Sequence, residues 1–342
     1  MTTPKKIGLI GCGTVARYGH LPAIRSSPEW QLAAVFDPDP VRAQSAQNES
    51  GAEKSFSDLE AFLDSGLDAV TITSRPPAHR DNVLAAARRR LPVLCEKPLA
   101  LDRAECEEMI AAMNATGVPL YTAFCYRYSP IALKIRELVQ AGAIGKVRSL
   151  RLIYIWNAHG KFQMGPNGQP HLNERRESSM QEGGPLVDCG VHQIDLATFW
   201  LDSPIVRSFG KGAWIDDQET PDHMWLHLDH VCGAHSVVEI SYAYSHTALH
   251  PRSEFIYDLI GTEGVIRYER ERKSFVMENG HGSSSFPFHE MKDFGGLYRE
   301  FAAALASGRL GLMADAEQGQ RVVEIAREAT NQAIANRLVA MA

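Results

Sequence analysis

The chain has 342 residues, 44% of them hydrophobic and 22% charged, with a formal net charge of −6. That length suits about two domains, and that composition excludes a disordered or fibrous chain. The acidic balance, with no run of five like charges, argues against nucleic acid or an anionic membrane as partner, and no apolar stretch is long enough to span a bilayer.

The first residues, "MTTPKK", run straight into a strand pattern, so no signal segment is expected. Six cysteines (Cys12, Cys95, Cys106, Cys125, Cys189 and Cys232) are scattered without a C-x-x-C pair. Free thiols in a cytoplasmic protein follow, rather than a disulfide framework or a zinc site. Short apolar runs then alternate with helical patterns. Strands are expected at "IGLIG" (7–11), "LAAVFD" (32–37), "AVTITS" (69–74), "PVLCEK" (92–97) and "PLYTAFCY" (119–126), with helices between them. This rhythm predicts parallel βαβ units, that is, an α/β Rossmann doubly wound sheet over residues 1–126.

After residue 126 the rhythm changes. A helix, "PIALKIRELVQAG", is followed by long strand-like stretches: "VRSLRLIYIW", "VRSFGKGAWI", "DHMWLHLDHV", "AHSVVEISYAY" and "FIYDLIGTEGVIRYE". "CGAH" joins two of them as a hairpin. Residues 127–342 are therefore expected to form an α+β domain with a large, mostly antiparallel open sheet, ending in helices near 296–307 and 315–337. Residues 157–182 carry no regular pattern, and a segment of that length is usually functional or mobile.

"GLIGCGTVA" has G-x-G-x-x-A spacing between a strand and a helix. Gly11 permits the tight turn, Gly13 lets a pyrophosphate reach the backbone, and Ala16 lets the helix pack close. The N–H groups of the loop residues Cys12, Thr14 and Val15 suit phosphate oxygens. Asp37 ends the second strand, where a carboxylate accepts from a ribose diol; a helix N-cap is the compatible alternative in "DPDP". No arginine follows directly to hold a 2′-phosphate, and Asp37 would repel one, so NAD is expected over NADP. Thr73, Ser74 and His79 lie at and beyond the third strand's carboxyl end, where cofactor contacts fall. "GGPLVDCGVHQIDLATFW" (183–200) reads as one helix with Gly184 near the N-cap and Pro185 at N1. Asp188, His192 and Asp195 then share a face, and a carboxylate one turn from an imidazole fixes its tautomer. Asp195 is expected only to anchor the helix, and no third ligand suggests a metal. His223, His227, His230 and His235 cluster by count, which alternation on an exposed sheet face explains.

Through "GLIGCGTVA", "TSRPPAHRDNVLAAA", "VLCEKPLA", "FCYRYSP" and "GGPLVDCGVHQIDLATFW", nearly the whole chain resembles the Gfo/Idh/MocA oxidoreductases, the group containing glucose–fructose oxidoreductase and inositol dehydrogenase. The resemblance implies that Lys97 is the active-site lysine, that Lys97–Pro98 is cis, that Glu96 positions the lysine, and that Asp188 and His192 are the D-x-x-x-H substrate and catalytic pair. It leaves Arg127 either reaching the active site and its cofactor or pairing with a carboxylate. Where the family often has asparagine this chain has Cys125, so no contact is carried over there.

The function expected is NAD-dependent hydride transfer between a sugar, cyclitol or related polyol hydroxyl and nicotinamide. His192 is the general base and Lys97 the group on the developing alkoxide, with those two roles exchangeable. Two rivals share the fold: glycoside cleavage by transient oxidation and elimination, and a non-catalytic NAD-sensing regulator. Trp156, His159, Arg175 and Arg176, with Lys161, Gln163, Asn167, His171 and Asn173, make residues 157–184 the expected specificity segment, one arginine touching substrate and the other solvated. A homodimer or homotetramer is expected through the open sheet, where Trp225, Tyr242 and Tyr244 supply aromatic surface.

Overall fold

Six short parallel strands open the chain: β1 (Lys5–Ile10), β2 (Trp30–Phe36), β3 (Lys54–Phe56), β4 (Ala69–Ile72), β5 (Val93–Cys95) and β6 (Leu120–Thr122). They lie in the order β3-β2-β1-β4-β5-β6, so the order reverses between β1 and β4, the switch point at which open α/β sheets bind ligands. Their near-continuous apolar runs follow from burial on both faces: Ile7, Leu9, Val70, Ile72, Val93 and Leu94 are wholly buried. Helices α1 (Leu21–Ser26), α2 (Pro40–Ser50), α3 (Leu59–Leu63), α4 (His79–Arg88) and α5 (Arg103–Thr116) make the crossovers. Their ends obey local chemistry. Asp39 and Asp102 accept from the first-turn N–H groups of α2 and α5, and Gly51 and Gly117 close those helices in the left-handed region. The short β3 and α3 lie where the sequence reading expects neither. The computed structural model describes residues 3–156, 161–243 and 253–341.

The second sheet has eight strands: β7 (Val147–Ile155), β10 (Ile205–Ala213), β11 (His223–His230), β12 (His235–Ser241), β13 (Glu254–Gly261), β14 (Gly264–Glu269), β15 (Ser274–Asn279) and β16 (Gly282–Ser285), with a separate hairpin of β8 (Phe162–Met164) and β9 (Pro170–Leu172). The order is β10-β11-β12-β7-β13-β14-β15-β16, antiparallel throughout except that β12 and β7 run parallel. The run 255–269, expected as a single strand, is the hairpin β13–β14. Along β11, buried Met224, Leu226 and Leu228 alternate with half-buried Trp225, His227 and Asp229, as one covered face requires. Helices α6 (Pro130–Gln140), α7 (Glu174–Gln181) and α8 (Val191–Leu201) belong to this unit. The Trp200 indole of α8 donates to Ala132 O of α6 at 3.0 Å and meets the Tyr257 ring of β13 edge-on at 5.0 Å.

The chain then returns to the first sheet. In α9 (Phe294–Ser307), Phe301 stacks on Trp30 at 5.1 Å and Tyr298 O accepts from the Trp30 indole at 2.9 Å. β17 (Ala314–Asp315) adds an antiparallel strand to the edge at β6, and α10 (Ala316–Met341) closes the chain. Contacts therefore group residues 292–323 with 1–128, and 129–291 with 324–342, whereas the sequence reading divides the chain once, after residue 126. Aromatic packing on Trp30 and pairing with β6 bring the late segment back.

Two further expectations change. The stretch 157–182 is not irregular where it is described: it holds the β8–β9 hairpin and α7, which Asn173 caps by accepting from Arg176 N. Residues 183–200 are not one α-helix either. A five-residue π turn, Leu186–Gly190, precedes α8, and another, Ala16–His20, precedes α1. Wide turns of this kind recur at functional sites. No helix among the described residues is long and apolar enough to cross a membrane.

Candidate functional site

The Gly-rich loop leaves β1 with Gly11 at φ +94°, a conformation open chiefly to glycine. A Cβ there would lie 2.5 Å from Ser74 N, so the loop and the end of β4 touch through bare backbone. Thr73 fastens the same junction, its hydroxyl 2.6 Å from Gly11 O. At Gly13, by contrast, an added Cβ would meet nothing within 4 Å. This open space above a helix start, lined by half-buried Val15 and exposed Thr14, fits a pyrophosphate. Asp37 follows β2, buried, with Oδ2 accepting from Cys12 N and Oδ1 from Asp39 N, both at 3.0 Å. A carboxylate has about four acceptor sites, so these two bonds orient it and leave capacity for a ribose diol. Burial first, and then the Asp37 charge, push the Cys12 thiol up to about 12. The loop cysteine is thus an inert packing group rather than a nucleophile.

Lys97 stands two residues beyond β5's carboxyl end, and its bond to Pro98 is cis. Glu96 is buried beneath it. One carboxylate oxygen meets His20 Nε2 at 2.9 Å, and the other accepts from Lys97 N at 3.1 Å. Burial pushes the Glu96 carboxyl upward, but the His20 hydrogen bond and charge, with Lys97 and His79, outweigh it and hold the group below its ordinary range. His20 Nδ1 in turn meets Tyr298 OH at 2.8 Å, and the Tyr298 and Thr71 hydroxyls are hydrogen-bonded at 3.1 Å.

In the second unit, Asp188 sits in the π turn and His192 in the first turn of α8. Asp188 Oδ2 accepts from Tyr242 OH at 2.5 Å and from Ser179 Oγ at 3.1 Å. Burial, then the Asp188 charge, raise the Tyr242 hydroxyl well above its ordinary range. It therefore stays a donor throughout the neutral range and fixes the carboxylate. His192 is buried. The wide turn means that α-helical reckoning of a shared face does not carry across residues 188–192. Earlier in the same unit, Trp156 stacks on Tyr154 at 6.0 Å, and the exposed Arg175 guanidinium lies 6.0 Å from the Trp156 ring.

Several expected contacts take other roles. His79 is buried with Nδ1 3.0 Å from Pro98 O and Nε2 3.0 Å from Ser74 O. Both nitrogens are occupied by backbone, so the ring clamps the E-K-P segment to the β4 loop instead of meeting a cofactor. Burial lowers its proton affinity. Ser74 Oγ accepts from Asn82 at 3.1 Å. Arg127 is buried, donating to Met313 O at 3.2 Å and Gln318 Oε1 at 3.1 Å. These bonds tie down the returning segment. Arg176 is neither substrate-facing nor solvated: it is wholly buried, bonded to Asp222 and, at 3.2 Å, to Asp216. Lys161 is held by Asp216 at 2.6 Å. Tyr242 is buried on Asp188 rather than displayed on the sheet. His159 and Tyr244 lie outside the described residues.

The four sheet histidines do not share an exposed face. His223 and His230 are buried, the latter 2.8 Å from Ser236 Oγ. His227 and His235 meet at 3.1 Å, and His235 reaches Asp229 at 2.7 Å. Among the described residues no group of three or more His, Cys, Asp or Glu is arranged to hold a metal ion. His20, Tyr298, Ser179 and Asp222 are not among the residues expected from the sequence. For His20 a signal existed, since it lies seven residues beyond Gly13 at the first helix; the others carry none.

Residues 5–124 match the model of an oxidoreductase family with an NAD-binding Rossmann fold, and residues 132–267 match the Gfo/Idh/MocA C-terminal domain. The chain is 32% identical over 270 residues to the D-apiose dehydrogenase of Paraburkholderia graminis, a match covering 78% of this chain and 68% of the relative. It is 26% identical over 326 residues to the scyllo-inositol 2-dehydrogenase (NAD(+)) of Bacillus subtilis, covering 91% and 89%. The crystal structure of an oxidoreductase domain protein from Kribbella flavida shares the fold, with a TM-score of 0.83 at 20% identity and 98% of each chain covered.

The Arg176 cluster generates a prediction. Asp222→Asn removes a charge partner from a guanidinium with no solvent access and is expected to cost about 3 kcal/mol in a urea melt. Substrate KM should stay within twofold of wild type. A raised KM without loss of stability would return Arg176 to the substrate.

Proposed function

Because the chain belongs to the Gfo/Idh/MocA oxidoreductase family, we propose that it is an NAD-dependent dehydrogenase oxidising a secondary hydroxyl of a sugar, cyclitol or related polyol. One observation carries this reading: Gly11, Asp37 and Lys97 all stand at carboxyl ends of parallel strands, beside the switch point of the sheet. The names of two relatives, an apiose and a scyllo-inositol dehydrogenase, support the substrate class.

Gly11, Gly13 and the N–H groups of residues 12–15 would hold the pyrophosphate, and Asp37 the adenosine ribose. Bound nicotinamide supplies the hydride acceptor. His192 removes the hydroxyl proton, Lys97 donates a hydrogen bond to the oxygen as its charge develops, and Asp188, oriented by Tyr242 and Ser179, holds substrate or imidazole. The Trp156 ring offers an apolar face to a sugar, and Arg175 beside it a donor for a polar substituent. We also propose that the chain works in the cytoplasm as a homodimer or homotetramer assembled through the outer face of the eight-stranded sheet.

Three outcomes are expected. The Asp37 carboxylate would repel a 2′-phosphate, so NAD should bind roughly tenfold or more tightly than NADP, about 1.4 kcal/mol; fluorescence titration with each cofactor measures the ratio, and equal affinities would remove the ribose assignment. Lys97→Ala and His192→Ala should each lower kcat by about 10²-fold while NAD affinity stays near wild type. Wild-type turnover in both would refute the mechanism. Light scattering at micromolar concentration should give a dimer or tetramer mass, and a strict monomer would contradict the assembly.

A further inference from the structure

Behind Lys97 lies a buried polar chain that the proposed mechanism does not use. Thr71 on β4, Tyr298 on α9 and His20 at the end of the first π turn are all at or near zero exposure, and they lead to Glu96 through contacts of 3.1, 2.8 and 2.9 Å. The chain is contributed by segments up to 278 residues apart, so no local motif accounts for it. Its packing is specific as well. The His20 ring sits edge-on to Phe294 at 4.8 Å and to Tyr298 at 5.8 Å.

Donor bookkeeping restricts what the chain can do. An ionised carboxylate only accepts, so the proton between His20 and Glu96 belongs to Nε2. Two arrangements then satisfy every member. Either Thr71 donates to Tyr298 and Tyr298 donates to Nδ1, or Nδ1 is also protonated and Tyr298 donates to Thr71. In both, a donor is aimed at Glu96 Oε1, which leaves Oε2 for Lys97 N. The phenol cannot compete as an acid, because burial raises its proton affinity far above the ordinary range. The groups facing Glu96 are His20, His79 and Lys97, together with the Tyr298 hydroxyl and the buried thiols of Cys95 and Cys125.

We propose that Thr71, Tyr298 and His20 act as positioning residues for Lys97, holding Glu96 ionised and oriented beneath it and so setting the proton affinity and aim of the lysine. This rests on the reading of Lys97 as a catalytic group. The chain acts through Glu96 and touches neither substrate nor cofactor in this scheme. Cutting it should make Glu96 easier to protonate, and Lys97, losing its counter-charge, should then release its proton at lower pH.

Tyr298→Phe removes one hydroxyl and keeps the ring. His20→Leu removes the donor to Glu96, and His20→Gln offers an amide N–H in its place. Lys97 is titrated directly, by NMR of the reductively 13C-methylated protein, with its signal assigned by its loss in Lys97→Arg. The expected result is a downward move of the Lys97 titration by about half a pH unit or more in Tyr298→Phe, larger in His20→Leu and partly restored in His20→Gln. With it should come a fall in kcat of about tenfold, an unchanged NAD affinity and a substrate KM within twofold. A moved titration with wild-type kcat would uphold the chain and overturn the catalytic role of Lys97. An unmoved Lys97 titration in Tyr298→Phe and in His20→Leu, whatever their stability, would overturn the inference. Should the His20 variants fail to fold, Tyr298→Phe alone carries the same two outcomes.

Discussion

A carboxylate taken out of water must be met by donors or give up its charge. Glu96 is met on both oxygens, by the His20 imidazole at 2.9 Å and by the backbone of Lys97 at 3.1 Å. Much of the first unit is arranged around that requirement. The π turn after the Gly-rich loop carries His20 inward, the returning α9 brings Tyr298, and β4 contributes Thr71. His79 holds the adjoining Pro98–Leu99 backbone from beyond the carboxyl end of the neighbouring parallel strand, β4. Since the folded carboxyl is held below its ordinary range, its share of stability is present above the unfolded value and is lost as pH falls through the lower folded one.

The second unit solves a similar problem with different parts. Asp188 is only half-buried, yet a wholly buried phenol and a serine both aim at its Oδ2. In the same unit, Asp222 accepts two backbone N–H groups at 2.9 Å and the Arg176 guanidinium. The two carboxylates thus divide the work. One is pinned yet half-exposed, and the other is sealed away, tying α7 to the start of β11. That division explains why adjacent arginines on one helix, Arg175 and Arg176, differ so completely in exposure.

What could be read in the sequence was local. G-x-G-x-x-A, E-K-P and D-x-x-x-H each lie within a few consecutive residues, and the strand–helix rhythm of residues 5–125 is a repeat of neighbours, so the doubly wound sheet, the loop and the Lys97 position were legible. The rest depends on distant pairing. Tyr242 meets Asp188 across 54 residues, Arg176 meets Asp222 across 46, and His20 meets Tyr298 across 278. An apolar-flanked tyrosine such as Tyr242 looks the same in sequence whether its hydroxyl faces a partner surface or a buried carboxylate. Likewise the periodicity of residues 183–200 suits an α-helix, and nothing in it marks the extra residue that widens the turn at Leu186–Gly190. Arg176 is misjudged for the opposite reason: charge suggests solvent, and only the two aspartates that follow 40 and 46 residues later reverse that.

The late return of residues 292–323 has a consequence for how the chain is made. About 170 residues separate Thr122 at the end of β6 from Lys292, which a ribosome adds in roughly ten to thirty seconds. For that interval the nascent Rossmann sheet lacks β17 on its β6 edge, and the indole of Trp30 lacks Phe301 and Tyr298. An open edge beside uncovered aromatic surface is the state in which strands pair with the wrong chain. The unit whose synthesis begins first is therefore sealed only after most of the second has been made, and cellular chaperones meet it with its edge open while the second unit is still being added.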